Sequence, residues 1–279
     1  MQHPITTEDY QQFTRFLESV CGVMLGDGKQ YLVSGRMNAL LRESGVQSLG
    51  ELVQRASSIS GRDLRTRIVD AMSTNETSWF RDRHPFSILD ESILPELLKV
   101  RKKNYLRIWS AASSSGEEAF SIAMTIDQYL RHNALFGFQN YEIIGTDVSS
   151  EKIIEARAAR YSDRAISRGI DDETRARYFR RNGEQWCVLP ELQAKVNFRH
   201  LNLKEFSQWA GLGKFDVVFC RNVLIYFSET LKSEILQRIA NVLEPGGYLF
   251  LGASESVGRN CNDFSMQFRS PGVVYQSIR

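Results

Sequence analysis

A chain of 279 residues, 42% hydrophobic and 24% charged, is an ordinary globular protein with room for one large or two modest domains. Its 35 basic and 33 acidic residues leave a net charge of +2, which excludes the basic excess of a nucleic-acid-binding protein. Cysteines 21, 187, 220 and 261 form no close pair and histidines 3, 84, 132 and 200 are dispersed, so neither a metal nor a disulfide framework is expected. No apolar run nears ~18 residues and no signal peptide opens the chain, so the expectation is a cytoplasmic protein without membrane insertion.

The first eighty residues read as short helices. Thr6 or Thr7 caps a helix with Phe13, Phe16, Leu17 and Val20 on one face. After Gly26-Asp27-Gly28, a second carries Val33, Met37, Leu40 and Leu41 and ends at Gly45. Ser48 and Glu51 form a capping-box pattern before a third, and Ser60-Gly61 precedes a fourth with Leu64, Ile68, Ala71 and Met72. A polar-then-aromatic stretch, Ser73 to Asp82, follows at the junction. A further helix opens with Pro85, runs through Leu98 and ends in the basic run Arg101-Lys102-Lys103, which suits a solvated helix end.

From Tyr105 the pattern alternates. Strands are expected at Tyr105–Trp109, Tyr141–Thr146, Val196–His200, Phe215–Cys220, Tyr248–Gly252 and Val273–Ile278, with helices at 117–132, 150–159 and 229–243. Apolar strands in βαβα order indicate a doubly wound, mostly parallel α/β sheet covered on both faces. Only Ser270-Pro271-Gly272 separates the last two strand-like runs, so that pair must be an antiparallel hairpin. Between 161 and 195 the rhythm lapses into an arginine-rich insertion, expected to hold a short helix and two small strands.

Ligands of such sheets sit at the carboxyl ends of the strands. The first strand ends at Ala111-Ala112 and leads through a small-residue loop to Gly116, Glu117 and Glu118. One glycine and two acids at a helix start do not suit a pyrophosphate, which points away from NAD and ATP. The second strand ends in Asp147, placed either to hold a ribose diol or to cap the next helix. Asn202-Leu203 is placed to meet an adenine edge, and Arg221-Asn222 leads to Tyr226 after the fourth strand. A nucleoside-shaped crevice with acids in place of phosphate sites fits S-adenosyl-L-methionine, an adenosine with a sulfonium cation.

The series Asn75-Glu-Thr-Ser-Trp-Phe-Arg81, Trp109 to Glu118, Gly145-Thr-Asp147, Asn202-Leu203, Phe219 to Phe227, Leu243 to Gly247 and Gly252-Ala-Ser-Glu-Ser256 resembles the CheR family over nearly the whole chain. These are chemotaxis-receptor methyltransferases that esterify glutamates on bacterial chemoreceptors. The resemblance implies a class I methyltransferase-like fold, with a helical domain over 1–75, a linker and connecting helix over 76–104, and a methyltransferase domain over 105–279. It implies a methyl-donor site of Asn75, Thr77, Arg81, Ala111, Glu117, Asp147, Asn202, Leu203, Arg221 and Asn222. Arg81 and Tyr226 stand at the acceptor, and S-adenosyl-L-homocysteine is the product. Lys29, Arg36, Arg42, Arg55, Arg62 and Arg65 are implied contacts to the receptor's helical bundle, although residues 1–80 are near neutral overall. The first loop and Ala119-Phe120 depart from the family's usual letters conservatively. The insertion looks shorter than in members that hold a receptor pentapeptide, which implies a tether-independent enzyme; separately, the expected partners are the receptor bundle and a regulatory adaptor protein, and the expected state is a monomer. A class I methyltransferase with another acceptor and a catalytically silent donor-binding module remain the alternatives.

Overall fold

The computed structural model describes residues 5–101, 105–133, 140–258 and 261–279; Lys102, Lys103 and His3, which entered the expectations above, lie outside them. Four helices come first. α1 (Thr7–Cys21) is capped by Thr6, whose hydroxyl accepts from Asp9 N at 3.1 Å. α2 (Gln30–Ser44) stops at Gly45 in the left-handed conformation, as its position foretold. Ser48 caps α3 (Leu49–Ser57), and the returning bond of the box reaches Gln47 N, one residue earlier than the motif requires. α4 (Arg62–Met72) completes a bundle around Phe13, Leu17, Met37, Leu52 and Ile68. Each such side chain contributes about 1.5–3 kcal/mol by leaving water.

The expected single helix from Pro85 is interrupted. It runs as α5 (His84–Ile88), a π-turn at Leu89–Ile93, and α6 (Leu94–Arg101). The cause is Pro95, which has no N–H and crowds the preceding turn. The ladder yields just ahead of it, with Leu94 N donating to Leu89 O.

The sheet alternates as the pattern requires: β1 (Tyr105–Ala111), α7 (Glu117–His132), β2 (Asn140–Asp147) and α8 (Ser150–Ala158). The insertion follows with β3 (Arg160–Ser162), α9 (Asp163–Ile166), α10 (Asp172–Tyr178), β4 (Phe179–Asn182), β5 (Gln185–Val188) and α11 (Pro190–Gln193). It is richer than one helix and two strands, because Arg160–Ser162 is recruited to the edge of β5 to make a small antiparallel sheet. β6 (Val196–His200), β7 (Phe215–Cys220), α12 (Glu229–Val242), β8 (Leu243–Leu251), β9 (Phe264–Arg269) and β10 (Gly272–Ser277) complete the chain. β8 begins five residues before the expected Tyr248, since Leu243 already pairs with Phe215 across an irregularity in register.

Among the described residues the main sheet has the order β6-β2-β1-β7-β8-β10-β9, parallel except for β10, which is antiparallel to both β8 and β9. The terminal hairpin is therefore as the short Ser270-Pro271-Gly272 connection demanded. Two cores cover the two faces, one around Phe120, Phe219 and Phe250, the other around Trp109, Phe215 and Leu249. The order reverses between β1 and β7, so their carboxyl ends part to form a crevice there.

Candidate functional site

The loop after β1 folds under its own backbone. Ser113 N donates to Thr146 O at 2.8 Å, tying the loop to the end of β2. Ala112 (φ 61°) and Ser114 (φ 49°) turn it in the left-handed region, and Gly116 (φ 97°) starts α7. A Cβ on Gly116 would stand 2.9 Å from Phe198 and 3.2 Å from the Tyr161 hydroxyl, so only glycine fits between the loop and β6.

Asp147 closes this loop from the other side. One carboxylate oxygen accepts from Ser114 N at 2.8 Å and the other from Ser149 N at 2.9 Å. Burial pushes its carboxyl up from the ordinary aspartate range, and these N–H groups pull it back down. The cap of α8 is Ser149, whose hydroxyl accepts from Lys152 N, so the capping alternative for Asp147 falls away.

The two acids at the start of α7 take different sides of the helix. Glu117 turns from the crevice; its carboxylate accepts from Ser115 Oγ at 2.8 Å, and burial raises its titration. Glu118 lines the crevice instead, accepting from Ser110 Oγ at 2.8 Å and from Arg221 at 3.0 Å. Burial pushes the Glu118 carboxyl up, opposed by the charge of Arg221. Successive helical side chains diverge by about 100°, so only one of two adjacent acids can face the ligand. The position expected at Glu117 is thus filled by Glu118. By the same geometry Ala111, the last residue of β1, is fully buried, and its neighbour Ala112 faces the crevice.

Arg221, its side chain 1% exposed, is the hub of the far wall. Besides Glu118 it donates to Asp82 at 2.6 Å and to Arg81 O at 3.0 Å. These bonds pin the Ser73–Arg83 segment across the crevice. Trp79 anchors the same segment edge-on to Tyr161 and Phe179, with ring centroids at 4.7 and 5.2 Å. Phe80 N donates to Ser121 Oγ at 3.0 Å, and Ser114 Oγ to Asn75 O at 3.2 Å. The strap so held brings Asn75, Thr77 and Arg81 to the crevice wall; Arg81 donates to Glu76 O at 2.9 Å.

The helical bundle supplies the third wall, which the sequence did not suggest: Val23, Met24, Leu25 and Lys29 line the crevice beside Asn202, Leu203, Asn222 and Tyr226. Polar contacts dock it there. Met24 N donates to Tyr226 O at 2.8 Å, and Lys204 Nζ donates to the carbonyls of Glu18 and Ser19 at the end of α1. The Asn202 carboxamide donates to Val20 O at 2.7 Å and accepts from Lys204 N at 3.1 Å. Asn202 therefore holds the bundle in place as well as lining the crevice.

The basic residues of the bundle are not one free patch. Arg36 donates to Met72 O and Ser73 O, Arg65 to Ala56 O and Ser58 O, and Arg55 to Ser44 O and Glu51. Lys29, Arg42 and Arg62 are exposed, and Lys29 stands at the crevice mouth.

The crevice suits an adenosine bearing a sulfonium and an amino acid. Glu118 and Asp147 supply carboxylate oxygens, and the bundle and Leu203 supply apolar surface. Two buried crevice atoms, Ser113 Oγ and Arg221 Nε, have no partner among the described residues, and a hydroxyl and a guanidinium N–H are groups that a ligand's polar end can satisfy.

Residues 75–273 match the family domain described as CheR methyltransferase, SAM binding domain, and residues 8–73 match CheR methyltransferase, all-alpha domain. A chemotaxis protein methyltransferase of Pseudomonas aeruginosa is 48% identical over 270 residues, which cover 96% of this chain and 97% of that one. A second from Vibrio cholerae is 44% identical over 275 residues, covering 98% of each chain. A third from Klebsiella aerogenes is 31% identical over 268 residues, covering 95% of this chain and 88% of its own. The chain belongs to the CheR methyltransferase family, and carries that family's helical domain followed by its S-adenosylmethionine-binding domain.

Proposed function

We propose that the protein methylates glutamate side chains on the cytoplasmic helical bundle of bacterial chemoreceptors, with S-adenosyl-L-methionine as methyl donor. The observation that carries this reading is the crevice built from three walls and lined by both Arg81 of the strap and Tyr226. Two exposed apolar side chains accompany it: Met24 in the lining, 49% exposed, and Ile225, next to Tyr226, 54%. An exposed apolar rim suits a protein acceptor better than a small solute.

When bound, the methyl donor supplies an electrophilic methyl group on a cationic sulfur. The C–S bond breaks as a C–O bond forms to the carboxylate, giving a methyl ester and S-adenosyl-L-homocysteine. A glutamate is already ionised near neutral pH, since it titrates at about 4.3, so no general base is needed. The chain's contribution is alignment and exclusion of water, which together can supply about 7–11 kcal/mol. Asp147 would hold the ribose hydroxyls with the lone pairs that Ser114 and Ser149 leave free. Glu118 and Arg221 would hold the methionine end, and Leu203 would offer an apolar surface to the adenine. Tyr226 and Arg81 orient the acceptor. A bidentate grip by Arg81 would lower the carboxylate's nucleophilicity, so Arg81 steers and closes the site without holding the attacking oxygen.

Residues 1–75 act as the receptor-facing domain, 76–104 as strap and connector, and 105–279 as the catalytic unit. Of the six basic residues that the resemblance singles out, Lys29, Arg42 and Arg62 are exposed to meet an acidic receptor helix, which makes the rate fall as salt is raised. The insertion does not hold a receptor pentapeptide, so a receptor lacking its carboxy-terminal peptide is methylated as fast as the intact one. The enzyme works as a cytoplasmic monomer. Labelled methyl donor with receptor-containing membranes tests the whole reading: base-labile label on the receptor supports it, and base-stable label or none overturns it.

A further inference from the structure

The turn after β8 carries a carboxylate that the methyl-donor site does not use. Gly252 to Glu255 folds back through a bond from Glu255 N to Gly252 O of 2.9 Å. The buried side chain of Glu255 then reaches beneath the loop that follows β7. One carboxylate oxygen accepts from Gly252 N and Asn222 N, both at 2.7 Å. The other accepts from Val223 N at 2.9 Å and Leu224 N at 2.7 Å, with Ile225 N further off at 3.3 Å. These are the orphan amides at the start of the single 3₁₀ turn Leu224–Tyr226, preceded by Asn222 in the left-handed region at φ 58°. The approach is close enough that a Cβ on Gly252 would stand 2.7 Å from the Glu255 carboxylate and 2.8 Å from Asn222 Nδ2.

Four consecutive amides aimed at one point form an anion nest. Left empty, this one would be a binding place for a carboxylate beside the mouth where the acceptor carboxylate must stay free to attack. We propose that Glu255 is a positioning residue for methyl transfer: as an internal anion it fills the nest, fixes the Asn222–Tyr226 turn at the acceptor, and keeps those amides from capturing the acceptor. This rests on the reading of the crevice as a glutamate-methylating site. Glutamine cannot replace it, because whichever way its amide is turned an NH2 group faces N–H donors. Aspartate keeps the charge but is one methylene short.

The test uses the full chain with Glu255→Ala, Glu255→Gln and Glu255→Asp, followed by amide hydrogen exchange, S-adenosylhomocysteine binding and receptor methylation. In Glu255→Ala and Glu255→Gln, exchange at 222–225 and at Gly252, whose amide shares the carboxylate, quickens at least about tenfold while the rest of the chain is unchanged. Their kcat falls about 100-fold, the loss expected for misplacing a reacting group by about 1 Å, and falls by more than product affinity does, since Asn222 also lines the crevice. Glu255→Asp recovers part of kcat, and added acetate recovers part of it in Glu255→Ala. The proposal is overturned if Glu255→Gln matches the wild type in kcat and exchange. It is equally overturned if kcat and product affinity fall together with exchange rising over the whole chain, the pattern of a purely structural role. If Glu255→Ala does not fold, Glu255→Asp with quickened exchange confined to 222–225 and Gly252 supports the proposal and wild-type exchange there overturns it. Should the wild type give no receptor ester, the glutamate-methylation reading fails by itself, while exchange still decides whether Glu255 holds the turn.

Discussion

Replacing Arg221 by methionine removes the hub that joins Glu118 to the strap. Its side chain is 1% exposed, that of Glu118 14% and that of Asp82 34%. Taking one partner from a buried ion pair costs about 3–5 kcal/mol, because the other charge is left stranded. Here the low end applies: Asp82 regains water, and Glu118 keeps Ser110 and can take up a proton. The expected loss is about 3 kcal/mol near pH 8. Its pH dependence has a definite sign. A carboxyl raised in the folded protein, as burial raises Glu118, contributes stability below its unfolded value of about 4.3 and loses it as pH rises through the folded value. Loss of Arg221 raises it further, so the penalty grows between about pH 5 and about pH 8. Urea unfolding of the wild type, Arg221→Met, Glu118→Gln and the double variant at both pH values measures this. The double variant should be less destabilised than Arg221→Met alone near pH 8. An Arg221→Met penalty that is the same in the Glu118→Gln background as in the wild type, and flat with pH, would refute the coupling.

Three further changes probe single roles. Asp147→Asn should weaken S-adenosylhomocysteine binding at least about tenfold by calorimetry, since it disturbs the loop amides and the ribose contact proposed for it; unchanged affinity takes Asp147 out of the methyl-donor site. Tyr226→Phe should lower kcat by about 10–100-fold and leave product binding intact; parallel losses in both would place the hydroxyl at the methyl donor and not at the acceptor. Arg81→Ala should lower kcat/KM about tenfold in a folded protein, and no change there would remove Arg81 from the mechanism.

What the sequence made legible follows from periodicity and turn chemistry. The β1–α7 unit, the mostly parallel sheet and its antiparallel end all follow from apolar runs, loop length and small residues, which act locally. Asp147 was placed by the same logic, as the polar residue ending an apolar strand. The misreadings share a different cause. Pro95 sits inside an apolar helical pattern that masks it, though its missing N–H forces the π-turn before it. Glu117 and Glu118 are adjacent letters, and only the rotation of α7 decides which one faces the crevice. Asn202, Met24 and Lys204 owe their contacts to the docking of the bundle on the sheet, a long-range event that no local pattern encodes. Glu255 was visible only as part of a motif, because its amide partners lie some thirty residues away across β8. A signal for it did exist: a lone acid three residues after a glycine at a strand's end, beside a strand that ends in Arg-Asn.

The most direct measurement of the central claim is transfer of labelled methyl from S-adenosylmethionine to chemoreceptors in detergent-free membranes. Label is expected on the receptor's cytoplasmic bundle, released as methanol by mild base and absent when the acceptor glutamates are replaced by alanine. Label that survives base, that persists on receptors without those glutamates, or that never appears with a protein that binds the methyl donor would contradict it.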